Sequence, residues 1–174
     1  MTKVLAIVVT YNAMRWVERC LGSLFASRMR PDVLVVDNGS ADGTREFVRE
    51  HFPAAELILS DGNLGFGAAN NIGLRLALER GYDFVYLLNQ DAWVEKDTLS
   101  TLVAAARPDY GILSPVQNDA SGRLDPWFSR KCSGYLKAAS AVAPDPRLVI
   151  DVPFVMAAHW LVSRKALLEG GGFS

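Results

Sequence analysis

The chain has 174 residues, 50% apolar and 21% charged, which suits one packed domain and excludes extensive disorder. Lys and Arg number 18 against 19 Asp and Glu, so the net charge of -1 offers no basic footprint for nucleic acid, and none is expected as a partner.

In chain order, the first apolar run, 4–9 (VLAIVV), breaks at Thr10-Tyr11-Asn12, too soon for a secretory leader. It reads as a buried strand. Val17, Cys20, Leu21, Leu24 and Phe25 then repeat at helical spacing. A second strand is predicted over 33–36 (VLVV), and a helix over 44–52 that Pro53 closes and Ser40 or Asp42 caps. A third strand follows at 56–60, then a helix marked by Ile72 and Leu76, with Gly81 as its stop. The fourth strand is 84–88 (FVYLL), followed by a helix carrying Leu99, Leu102, Val103 and Ala106. Beyond it the pattern weakens. Turn signals in 114–124 suggest a hairpin at the sheet's edge, 125–149 reads as loop, 151–155 as a strand, and 164–169 as a short helix.

Strand-then-helix units in succession require right-handed crossovers between parallel neighbours, so the fold class expected is α/β, with helices on both faces of a mostly parallel sheet. In such sheets ligands bind beyond the carboxyl ends of the strands. No stretch approaches the roughly 20 apolar residues of a spanning helix, and the expectation is a soluble, cytoplasmic chain. Cys20 and Cys132 are too few for a disulfide framework or a four-ligand zinc site, and read as buried thiols.

Each strand runs straight into small or polar residues. Thr10, Tyr11 and Asn12 follow the first; Asp37, Asn38, Gly39, Ser40 and Asp42 the second; Asn63, Gly65, Phe66, Asn70 and Asn71 the third; Asn89 and Asp91 the fourth. Singly these are ordinary turn and cap residues. Together, at one end of a parallel sheet, they argue for a binding site. No glycine fingerprint for a dinucleotide follows the first strand, and no GxxxxGK[ST] run exists for a nucleoside triphosphate. DNGSADG at 37–43 lacks the acidic spacing of a calcium loop. Asp37 can accept from a pyrimidine or purine N–H, Tyr11 can pack on the base, and Thr10 or Asn12 can fix its edges. Asp91 is the single carboxylate of the fourth cluster, sufficient for a divalent ion that takes its other ligands from phosphates and water.

The segments VVTYN (8–12), VVDNGSADGT (35–44), NLGFGAANN (63–71), LLNQD (87–91) and GGF (171–173) resemble, as an ordered set, the GT-A-fold family 2 glycosyltransferases, particularly the rhamnosyltransferase-like branch. The resemblance implies one GT-A domain across 1–174, with a donor half at 1–113 and the start of an acceptor half at 114–174. It implies a nucleotide-sugar donor held by Thr10, Tyr11, Asn12, Asp37 and Asn38, with Asn63, Gly65, Phe66 and Asn70 in the segment closing over ribose and diphosphate. Asn89 and Asp91 match the family's Asp-x-Asp position, where the last carboxylate binds Mg²⁺ or Mn²⁺; Asn89 in place of the first Asp lowers the expected metal affinity without nucleotide.

The implied reaction is inverting transfer of a sugar, rhamnose being the example of the branch, to a saccharide or lipid-linked acceptor in polysaccharide synthesis. For a lipid-linked acceptor the location is the inner membrane face, by peripheral association. The family's base lies in a Glu-Asp pair after Gly-Gly-Phe. The sequence ends at Ser174, so a truncated chain with impaired transfer is expected. Two other readings are a catalytically silent nucleotide-sugar-binding module and, with less support, a nucleotidyltransferase. Trp93, Trp127 and Trp160 offer either sugar-stacking faces or packing; His159 is expected to be structural, and Arg123, Arg130, Lys131 and Arg147 a solvated surface.

Overall fold

The computed structural model describes residues 2–142 and 149–174. Its elements are β1 (Val4–Thr10), α1 (Val17–Phe25), β2 (Asp32–Asp37), α2 (Thr44–His51), β3 (Glu56–Leu59), α3 (Phe66–Glu79), β4 (Phe84–Asn89), α4 (Thr98–Ala105), β5 (Ile112–Leu113), α5 (Pro126–Val142), β6 (His159–Ser163) and α6 (Arg164–Gly170). The six strands form one sheet in the order β3-β2-β1-β4-β6-β5. β1 pairs in parallel with β2 and β4, and β2 with β3; β6 is antiparallel to β4 and β5.

Handedness decides which helix covers which face. The first two crossovers step from β1 to β2 to β3 in one direction and place α1 and α2 on one face; the third steps back past β1 to β4, which puts α3 on the other. Two cores result. Val4, Ala6, Val8, Val33, Val35, Tyr86 and Leu88 pack against Cys20, Leu21, Leu24, Val48 and Leu99, while Leu5, Ile7, Leu34, Val36 and Leu87 pack against Ala69, Leu74, Ala77 and Leu167. The strands read as unbroken apolar runs because both faces are covered.

The first half follows the expected pattern, and each of β1, β2 and β4 reaches one residue past the end of its apolar run; the start of α2 differs, because Gly43 at φ 91° holds the cap position and neither Ser40 nor Asp42 occupies it. Gly81 ends α3 as expected, its N–H bonded to the carbonyl of Leu78. The second half differs in three places. Residues expected as loop at 125–149 include the 17-residue helix α5. Its start signal is local: Asp125 Oδ1 accepts the Phe128 N–H at 2.9 Å, and Pro126 occupies the first turn, where its missing donor costs nothing. Phe128 and Cys132, four apart, are buried among its described side chains. The strand expected at 151–155 is instead irregular chain; the strand is β6, whose Trp160 and Val162 face one core and Leu161 the other. The 114–124 hairpin reduces to a bridge between Asn118 and Leu124 outside the sheet, whose edge is β5.

Candidate functional site

Three candidate residues are the last residues of their strands: Thr10 of β1, Asp37 of β2 and Asn89 of β4. Thr10 lies opposite Asp37 in the β1–β2 register, and Val9 opposite Asn89 in β1–β4. The strand order reverses between β1 and β4, and there the connecting loops diverge and leave a crevice. Gln90 crosses it: its Oε1 accepts the Tyr11 N–H at 2.7 Å and its Nε2 donates to the Tyr11 carbonyl at 3.3 Å. Sequence reasoning did not single out Gln90, because only the β1–β4 pairing shows what it bridges.

Asp37 is wholly buried, and protein donors surround it. Oδ1 accepts the Ser40 N–H at 2.9 Å and Arg45 Nε–H at 2.8 Å; Oδ2 accepts the hydroxyls of Thr10, at 3.0 Å, and Ser40. Burial alone would raise its pKa, but the bonds from Ser40, Arg45 and Thr10 outweigh that and hold the carboxyl below its ordinary value. Asn12, at φ 49°, accepts the Ala41 N–H at 2.9 Å through its side-chain oxygen, while its own backbone N–H reaches Ser40 Oγ. The loops after β1 and β2 are thus stitched into one wall, on which Tyr11 is left 46% exposed.

Asn38 holds the third loop. Its Nδ2 donates to Asn63 Oδ1 at 2.9 Å and its Oδ1 accepts the Leu64 N–H at 2.8 Å. Gly39 permits this approach: at φ +91° it lies so near Gly62 that a Cβ would sit 3.1 Å from backbone carbon. Gly65 then opens α3, and Phe66 is left 47% exposed. Asn70 lies one turn along α3 from Phe66. It is buried within α3, donating to the Phe66 carbonyl at 2.9 Å. Its neighbour Asn71 has the longer reach: it donates to the Phe173 carbonyl and accepts the Phe173 N–H, both at 2.8 Å. A Cβ on Gly172 would lie 2.2 Å from Asn71 Oδ1, so a side chain there must push the Asn71 amide out of that clamp. Phe173 stacks on Trp160 and meets Phe66 edge-on, so the Gly-Gly-Phe segment is tied to the start of α3. The Asn70-Asn71 doublet near the start of a mostly apolar helix was the available signal.

At the tip of β4 the Asn89 N–H donates to the Ala158 carbonyl at 3.1 Å, and Cys20 Sγ points at the Asn89 carbonyl. Burial, with Asp91 adding to it, pushes the Cys20 thiol up to about 12, so it is an inert neutral group. Tyr86 Oη lies 2.8 Å from His159 Nδ1; burial lowers the His159 pKa to about 4 against an opposing pull from Asp91. His159 is therefore a neutral, hydrogen-bonded histidine of the β4–β6 pair. Asp91 itself is exposed, and among the described residues no hydrogen bond engages its carboxylate. No group of three His, Cys, Asp or Glu among them gathers as a metal cage.

The structure therefore brings Thr10, Tyr11, Asn12, Asp37, Asn38, Asn63, Gly65, Phe66, Asn89 and Asp91 to one rim of the sheet, and sets Asn70 within α3. The tryptophans are largely committed elsewhere. Trp160 donates to the Met156 carbonyl and packs on Phe173; Trp93 carries the Arg19 guanidinium on its ring; exposed Trp127 is flanked by Arg130 and Lys131. Arg123 pairs with Asp119 at the surface, and Arg147 lies outside the described residues. A cavity of about 440 Å³ among Leu74, Leu87, Trp160, Val162 and Phe173 lies on the α3–α6 face and includes none of the rim. No helix among the described residues is long and apolar enough to cross a membrane.

Comparison with known proteins is consistent with this layout. The model of the family described as glycosyl transferase family 2 matches residues 5–171. The N-acetylglucosaminyl-diphospho-decaprenol L-rhamnosyltransferase of Mycobacterium tuberculosis is 36% identical over 138 residues, 72% of this chain and 45% of that protein. The undecaprenyl-phosphate mannosyltransferase of Micrococcus luteus is 33% identical over 108 residues, 60% of this chain and 44% of that protein. Among solved structures, the mannosyltransferase PcManGT from Pyrobaculum calidifontis, in complex with GDP-Man and Mn²⁺, superposes with a TM-score of 0.70 at 28% identity, covering 99% of this chain and 47% of its own. S. aureus TarS 1-349 in complex with UDP-GlcNAc gives 0.60 at 27% identity, covering 72% and 37%. The chain spans less than half the length of these relatives. With a matching model across nearly its whole length and the GT-A arrangement of sheet and helices, the chain belongs to glycosyl transferase family 2.

Proposed function

We propose that the rim binds a nucleotide-diphosphate sugar and that the protein containing this chain transfers the sugar, with inversion, to a saccharide or lipid-linked acceptor. One observation carries the reading: polar residues ending β1, β2 and β4 converge at the β1/β4 switch point, with the uncovered Asp91 carboxylate at its edge. The base packs on Tyr11 beside Asp37, with Thr10 and Asn12 shaping the pocket. The loop held by Asn38 and Asn63 brings Gly65 and Phe66 over the ribose and diphosphate. That PcManGT was solved with GDP-Man and Mn²⁺, and TarS with UDP-GlcNAc, supports a donor here.

Asp91, exposed and without a protein partner among the described residues, suits a divalent ion whose other ligands are diphosphate oxygens and water, and Asn89 keeps the site at one negative charge. Bound there, Mg²⁺ or Mn²⁺ supplies charge to the departing diphosphate. The names of two bacterial relatives, one containing diphospho-decaprenol and one undecaprenyl phosphate, favour a lipid-linked acceptor; with such an acceptor go peripheral association with the inner membrane face and a place in polysaccharide synthesis. The former's sugar favours rhamnose.

Calorimetry with UDP-, dTDP- and GDP-sugars, each with and without Mn²⁺, tests this. The expected result is one sugar nucleotide bound more tightly with Mn²⁺, and no Mn²⁺ effect in Asp91→Asn. Absence of binding by all three overturns it.

A further inference from the structure

We propose that Arg45 is a base-reading residue: it covers Asp37 in the free protein and exchanges that contact for a base whose ring N–H is flanked by a carbonyl. The inference rests on the donor-site reading and concerns which base the site accepts.

A carboxylate offers about four acceptor positions, and all four of Asp37 are filled by Ser40 N–H, Ser40 Oγ, Thr10 Oγ1 and Arg45 Nε. With Asp37 fully buried, a base donor must displace one of them. Thr10 is fully buried and Ser40 nearly so, leaving their hydroxyls no water to turn to, and Ser40 is also held by its own backbone bond in the same turn. Arg45 differs. It is the second residue of α2, its side chain is long and 31% exposed, and a single 2.8 Å contact joins it to Asp37. Arg45 is thus the donor that leaves at least cost, and Oδ1 is the atom uncovered.

Displacement leaves Arg45 beside the site with only donors to offer. The group that satisfies both residues donates to Asp37 Oδ1 and accepts from the guanidinium at adjacent atoms. The imide edge of uracil or thymine does so with N3–H and a neighbouring carbonyl, and guanine does so with N1–H and O6. At the same place cytosine and adenine set a ring-nitrogen lone pair against the carboxylate and an amino group against the guanidinium. Both contacts repel, and unpaired buried polar groups discriminate strongly.

The test is calorimetry of UDP, dTDP, GDP, CDP and ADP, without metal, on the chain and on Arg45→Ala, with circular dichroism and melting to confirm both are folded. The tightest ligand should be UDP, dTDP or GDP, at least about tenfold ahead of CDP and ADP, and Arg45→Ala should shrink that preference by about tenfold, as expected for one charged hydrogen bond. A purely structural Arg45 would weaken every nucleotide alike and leave the ratio unchanged; that result overturns the proposal, as does a preference for CDP or ADP. If no nucleotide binds, the donor reading falls and this inference with it; binding with an unaltered ratio removes the inference alone.

Discussion

Acidification should destabilise the chain through His159 by an amount that can be worked out. In the folded protein burial holds its pKa at about 4, against 6.5 in the unfolded chain. Between these values the unfolded state binds the proton and the folded state does not, so stability is complete above pH 6.5 and falls as pH drops toward 4. At about 1.4 kcal/mol per pH unit, the loss is about 2 kcal/mol at pH 5 and about 3 kcal/mol below pH 4. The hydrogen bond with Tyr86 does not cause this, because either neutral tautomer satisfies the 2.8 Å contact and a protonated Nδ1 can donate to the phenol oxygen. Burying the charge does. Urea denaturation at pH 7.5 and pH 5.0, without metal or nucleotide, should show the chain losing about 2 kcal/mol more than His159→Gln, which shares every carboxylate titration but lacks the imidazole. Since the protein has two histidines, His51→Asn leaves His159 alone for proton NMR, with a midpoint expected near 4. Equal losses in the two proteins, or a midpoint near 6.5, would refute the reasoning.

Asp37→Ala strips acceptors from Thr10, Ser40 and Arg45 at a buried position, and should cost about 2 to 3 kcal/mol in urea denaturation, below the full cost of a broken buried pair because Arg45 can turn to water. Asn71→Ala removes both bonds to Phe173 and should lower stability by about 1 to 2 kcal/mol, with faster amide exchange at Phe173 while amides of β1 and β2 stay protected. Gly172→Ala should do comparable damage, since its Cβ would overlap Asn71 Oδ1; an unchanged melting temperature would contradict the clamp. Asp91→Asn, at an exposed site with no described hydrogen bond, should leave urea stability within about 0.5 kcal/mol while abolishing the Mn²⁺ dependence of nucleotide binding.

Composition and pattern alone determined much of the first half. Doubly buried strands read as continuous apolar runs, intervening helices show their period, and polar residues at strand ends mark the rim, because all of these are local consequences of burial on two faces. The helix at 126–142 was legible in principle from Asp125-Pro126, yet the prolines around it masked the cap. The placement of β6 was not legible. An antiparallel partner for β4 depends on which residues the chain returns to Leu87 and Leu88, and Trp160 and His159 fill that register only once β4 exists to receive them. Likewise the sequence named Asp37 and two adjacent asparagines. Only tertiary structure decided that Arg45 covers Asp37, that Asn70 turns into its own helix, and that Asn71 grips a segment 102 residues away. Local pattern encodes which side chains must leave water; which polar atoms then meet depends on distances between distant segments, and those exist only after the sheet has closed around its two cores.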